Sequence, residues 1–170
     1  MTSTSANVDP HAAQLREELL EATSYYSADY FSARERFLTA SSRLGLAHHA
    51  LTIIAPSPND ERLTIDISIA GASKPKSAVV LTSGVHGVEG LFGSAVQSAF
   101  LEQLPLEWRP PHDAAVVLIH AVNPFGFAWR RRFNEDNVDL NRNFLLPNEK
   151  YSGSPPLSGA FRSVMKPSHP

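Results

Sequence analysis

The chain has 170 residues, 42% of them hydrophobic, which suffices for one sizeable buried core and sets one domain as the expectation. Its 15 Lys plus Arg against 17 Asp plus Glu give a formal charge of -2, without the strongly basic balance of a general nucleic-acid binder. The absence of Cys excludes disulfides, a thiolate nucleophile and a cysteine-based metal site, so any metal must be held by His, Asp or Glu. No run reaches the ~18 apolar residues that a membrane-spanning helix needs. The first residues also lack the basic and apolar regions of a secretory signal, so neither a membrane nor a secreted setting is expected and a cytoplasmic one is the default.

Residues 1–9 are small and polar and read as a flexible N-terminus. From Pro10 the pattern turns helical through Leu15, Leu19 and Leu20. A second helical stretch runs from Tyr25 through Phe37 to Leu44, where Gly45 is a natural stop. Residues 50–54 and 63–69 read as an antiparallel hairpin across the turn cluster Pro56–Asp60. In the second strand Leu63, Ile65, Ile67 and Ile69 alternate with Thr64, Asp66 and Ser68, the period of a half-buried strand. Residues 78–82 (AVVLT) and 114–119 (AAVVLI) are continuous apolar runs, expected to be strands covered on both faces, with a helix over about 89–104 between them. Strand, helix, strand implies parallel pairing. The expectation is therefore an α/β fold with a mixed, mostly parallel sheet and helices on both faces. The domain is expected to span 10–144, followed by a Pro- and Ser-rich irregular tail over 145–170.

Two loops at strand ends carry candidate chemistry, the position at which open α/β sheets bind ligands. The first is Ser83–Gly90 (SGVHGVEG). His86 and Glu89, three apart at a loop-to-helix junction, can converge on one ion, and imidazole plus carboxylate suits zinc. The same spacing also fits a loop histidine beside a glutamate that favours a helix N-terminus. The glycines stand as G-x-x-G-x-x-G and not as the dinucleotide fingerprint, and a carboxylate would repel a pyrophosphate there, so a nucleotide site is excluded. The second loop contains Asn123–Phe127, Arg130–Asn134 and Val138–Phe144. Its arginines and asparagines could form an anion pocket, or equally a solvated basic patch and a capped turn.

Taken together, HGVE, NPFG, RFN and VDLNRNF resemble, in order and wording, the motifs of the metallocarboxypeptidase superfamily, which includes the succinylglutamate desuccinylase and aspartoacylase deacylases. The segments YFSARERFL and HAVNPFGF look most similar to an uncharacterised, predicted-hydrolase branch of it. The resemblance covers about Tyr25 to Phe144 and implies an incomplete zinc carboxypeptidase-like fold. It implies that His86 and Glu89 are two ligands of one zinc ion. It makes Arg132, with Arg131 as fallback, the group that polarises a scissile carbonyl, and Asn141 and Arg142 the pair that grips a substrate carboxylate. The implied partner is a small carboxylate-bearing substrate, a peptide or an N-acyl amino acid, with neither nucleic acid nor membrane involved.

The superfamily pattern also needs a third ligand, a histidine several tens of residues later, and a still later glutamate base. Only 28 residues follow Arg142, and His169, in a proline-rich context, is the one histidine among them. His120, at a strand end, suits the core better than a ligand role. The reading is thus the N-terminal portion of a zinc hydrolase with little activity as this chain alone. A non-catalytic carboxylate-binding protein and a truncated product without independent function are the alternatives.

Overall fold

The strand that alternates Ile with Thr, Asp and Ser buries its polar side. In the computed structural model, which describes residues 10–143 and 145–150, Thr64, Asp66 and Ser68 are buried beneath a helix while Ile65, Ile67 and Ile69 are half-exposed on the opposite face. The period of two was legible; the face it buries was not.

In chain order the elements are α1 (Pro10–Ser24), α2 (Tyr30–Arg43), β1 (Ala47–Ile53), β2 (Leu63–Gly71), β3 (Ser77–Thr82), α3 (Gly90–Gln103), β4 (Ala114–His120), α4 (Pro124–Ala128) and a 3-10 turn, Leu140–Arg142. Asp29 starts α2 through a capping box with Ser32, its carboxylate accepting from the Ser32 amide at 2.8 Å. Gly45, at φ +66, follows its end. The sheet order is β1-β2-β4-β3. The β1–β2 hairpin is antiparallel and β3–β4 is parallel, as expected, but β2–β4 is antiparallel, so two of the three pairings are antiparallel and the mixed sheet is not mostly parallel. The hairpin enters the sheet beside β4 in reverse, which sequence order alone does not reveal.

Among the described residues the helices do not cover both faces. Phe37, Ala40 and Leu44 of α2 and Leu101 of α3 pack together on Leu118 of β4, on the side that also carries Ser68. Tyr30, Ala33, Leu63, Ala121, Phe125 and Phe127 form a second cluster where α2 and α4 meet one end of β2. Neither apolar run is sealed on two sides. β3 is an edge strand among the described residues, with Val79 and Val80 exposed, and β4 is central yet only half-buried on its open face. The expected irregular tail lies outside the described residues beyond 150, as do Phe144 and His169.

Burying Asp66 requires full compensation. Its carboxylate, 0% exposed, accepts from Arg34 Nε at 2.7 Å and Nη2 at 3.2 Å and from Thr64 Oγ1 at 2.7 Å, and lies 3.0 Å from His48 Nε2. Burial opposes ionisation, but these partners outweigh it and hold the carboxyl below its ordinary range. Opposite Asp66 in the register, His120 lies among Tyr30, Phe37 and Phe127, with Nε2 2.9 Å from Ser94 Oγ. It belongs to the core. Desolvation lowers its pKa from 6.5 to about 4. The folded state therefore resists protonation while the unfolded state accepts it, so the stabilisation is complete above pH 6.5 and is lost as pH falls towards 4, by roughly 3 kcal/mol. Denaturant unfolding across that range should show this decline, and His120→Gln should flatten it. An unchanged slope in the variant would place the proton uptake elsewhere.

Candidate functional site

The site begins where two loops interlock beyond the carboxyl ends of β3 and β4. Ser83 accepts from the Val122 amide at 2.9 Å and Gly84 from the Asn123 amide at 2.8 Å, extending the pairing past the strands. The Gly87 amide donates to the Arg131 carbonyl at 3.0 Å. A Cβ on Gly87 would sit 1.9 Å from the Gly126 carbonyl carbon and oxygen and 2.3 Å from the Arg131 oxygen, so this crossing admits glycine alone. Asn123 caps α4 by accepting from the Gly126 amide at 2.8 Å, and its Nδ2 reaches the Arg132 carbonyl at 3.4 Å. The asparagine of NPFG thereby fixes the backbone that carries the arginines.

Asn134, the asparagine of RFN, organises the next turn. Its Oδ1 accepts from the amides of Asp136 at 3.1 Å and Val138 at 2.8 Å, while its own amide donates to the Val138 carbonyl at 3.1 Å. This closed turn returns the chain so that Asp139 faces His86. The distance from His86 Nε2 to Asp139 Oδ1 is 2.8 Å, and Arg132 Nε donates to Asp139 Oδ2 at 2.9 Å. The Asn141 amide also donates to Asp139 Oδ1, at 3.0 Å, which makes Asp139 the cap of the 3-10 turn. Burial raises the Asp139 pKa, but the bonds from His86, Arg132 and the Asn141 amide prevail and hold it at about 2.

Asp139 was absent from the candidates drawn from sequence. Its signal was present: it is the one carboxylate in VDLNRNF and stands two positions before Asn141 of the Asn-Arg pair. Its contact with a histidine 53 positions earlier depends on the Asn134 turn, which no spacing rule encodes.

With Nε2 turned to Asp139, the other ring nitrogen of His86 faces Glu89, and Nδ1 lies 3.4 Å from Glu89 Oε1. Glu89 occupies the N-cap position of α3, yet its side chain makes no capping hydrogen bond. Arg132 is joined to this group through Asp139. The fallback, Arg131, is engaged elsewhere, with its guanidinium over the Phe125 ring at 5.7 Å and Nη2 bonded to Asn137 Oδ1 at 3.3 Å. Asn141 joins through its backbone, and the side chains of Asn141 and Arg142 are exposed on the 3-10 turn. Among the described residues no three His, Asp or Glu side chains are arranged to hold a metal; His86 Nδ1 and Glu89 Oε1 form a pair 3.4 Å apart.

This mixed α/β architecture is shared with a solved structure. A crystal structure from Shewanella baltica OS155 named "Putative metallopeptidase" matches with a TM-score of 0.51 at 24% identity over 71% of this chain. The chain spans 42% of that protein's length. It belongs to the family described as "Protein of unknown function (DUF2817)", whose pattern matches residues 26–168. No curated protein matches it.

The Gly87 crossing gives a direct test of how the site is assembled. Gly87→Ala should destabilise the chain by about 2–3 kcal/mol or more, because the added methyl meets backbone that cannot swing aside. Ala at Gly45, where a Cβ meets nothing within 4 Å, should cost only the strain of its positive φ, about 1 kcal/mol. Thermal or denaturant unfolding compares the two, and equal losses would contradict the crossing.

Proposed function

We propose that this chain carries part of the centre of a zinc-dependent hydrolase of the carboxypeptidase or deacylase type, acting on an amide bond near a carboxylate. The observation that supports it most is the His86 imidazole lying between Asp139 at 2.8 Å and Glu89 at 3.4 Å. Two ligands sharing a tetrahedral ion with bonds of 2.0–2.1 Å stand about 3.3 Å apart, so the Nδ1-to-Oε1 spacing suits zinc. A neutral imidazole and a carboxylate are donors that zinc accepts, and a carboxylate on the far ring nitrogen is the usual partner of a ligating histidine. When bound there, zinc would supply Lewis acidity and an acidified water.

The chain's own groups divide the remaining work. Asp139 orients the His86 ring and keeps Nδ1 available. It uses only Nε of Arg132, and the Arg132 side chain is 45% exposed, which leaves its terminal nitrogens to meet charge developing on a carbonyl oxygen. Asn141 and Arg142 present an amide and a guanidinium for a substrate carboxylate, fixing a peptide or N-acyl amino acid relative to His86. The setting proposed is cytoplasmic; among the described residues no helix is long and apolar enough to cross a membrane.

Two protein ligands hold zinc weakly, so this chain alone should bind one zinc and hydrolyse N-acyl amino acids or short peptides at or near background. Zinc competition against a chromophoric chelator, together with product detection, checks both parts. No binding would refute the metal reading, and rapid turnover would refute the incompleteness of the centre. Asp139→Ala should weaken zinc about 10- to 100-fold through loss of ring orientation, whereas Arg131→Ala should leave it unchanged. Carboxylate binding that persists after Glu89→Gln, with no zinc bound, would favour the non-catalytic alternative.

A further inference from the structure

The turn that ends α4 carries the hydrogen bonds of a helix stop that glycine usually closes, and here arginine closes it. The Arg130 amide donates to the Phe127 carbonyl at 3.3 Å and the Arg131 amide to the Gly126 carbonyl at 2.7 Å, the paired bonds of a Schellman motif. Arg130 stands at φ +54, in the left-handed region where a Cβ crowds the following carbonyl. Among the described residues the other positions with a side chain and a positive φ are Asp60, Asn137 and Asn148, types that enter this region readily. Glycine holds the same φ without strain. What arginine adds is therefore its side chain.

That side chain reaches back 102 positions. Arg130 Nη2 donates to the Ala28 carbonyl at 3.2 Å, one residue before the Asp29 cap of α2. The Asp29 carboxyl is held below its ordinary range chiefly by the bond from the Ser32 amide, and the Arg130 charge acts in the same direction. On its other side the turn faces the HGVE loop. The Gly126 and Arg131 carbonyls that close the stop are the groups that leave no room for a Cβ on Gly87, and the Arg131 carbonyl accepts from the Gly87 amide. The next residue, Arg132, is bonded to Asp139.

We propose that Arg130 is a positioning residue: tethered to the start of α2, it fixes the turn on which Gly87 docks and from which Arg132 reaches Asp139. Backbone strain kept where an unstrained residue would turn the chain as well marks stability given up for geometry. Its meaning for catalysis rests on the zinc-hydrolase reading, whereas its hold on the site's geometry is read without metal.

Arg130→Gly in the full, metal-free chain tests this, because it removes tether and strain together. The unfolding temperature should stay level or rise, by up to about 4 °C. The Gly87 amide should nevertheless exchange with solvent at least about tenfold faster by nuclear magnetic resonance, with the amides of β4 unchanged. The nitrogen-15 resonances of His86 should draw together as its ring loses a single fixed proton position. Arg130→Lys, which keeps a cationic donor, should restore most of both signals. Arg130→Asn, at home at positive φ and too short to reach Ala28, is the second variant with the same expected results as the glycine. An unchanged Gly87 amide and His86 ring overturn the proposal. So does a lowered unfolding temperature with exchange quickened equally in β4, which would make Arg130 a stabilising residue alone. Both readouts are taken without zinc, so their failure leaves the zinc reading standing.

Discussion

The orientation of one imidazole governs the rest of the site. His86 has two ring nitrogens, and the fold commits one of them to Asp139, which leaves the other beside Glu89. This division requires three separate pieces of chain to arrive together: the loop after β3, the arginine segment after α4 and the turn built on Asn134. Gly87 permits the first two to cross at backbone contact, and the amides gathered by Asn134 deliver the third. The Asp139 carboxylate links all three, and the bonds it accepts from His86, Arg132 and the Asn141 amide lower its pKa and favour its ionised, accepting form.

A second constraint lies beneath the site. The sheet places a charged cluster, Asp66 with Arg34, Thr64 and His48, under its helices and turns its isoleucines outward. A buried pair of this kind contributes little net stability but makes any other register of β2 costly, because a one-residue slip would carry Asp66 to the opposite face and leave the part-buried Arg34 guanidinium without its carboxylate. The register fixed in this way positions β4, and β4 in turn fixes where the NPFG segment leaves the sheet.

Much of this was legible in the sequence. The order of the helices and strands followed from apolar periodicity and from stops such as Gly45, although α2 begins at Tyr30 and not Tyr25 and β1 spans 47–53 and not 50–54, and the HGVE loop was recognisable as a strand-to-helix junction. Two things were not legible, for a shared reason. Alternation in β2 reports a period but not which side meets a helix; that depends on Arg34, 32 residues away, compensating Asp66. The role of Asp139 likewise depends on a turn whose conformation is set by side-chain to backbone bonds within residues 134–138. The choice between Arg131 and Arg132 needed the structure as well, since adjacent arginines diverge, one to Phe125 and one to Asp139.

The protonation pattern of the His86 ring tests the central claim most directly. Nitrogen-15 correlation spectra of the imidazole at neutral pH should show the hydrogen on Nε2, donated to Asp139, and a bare Nδ1 whose resonance moves when zinc is added. A ring protonated at Nδ1, or a zinc-induced shift confined to Nε2, would contradict it.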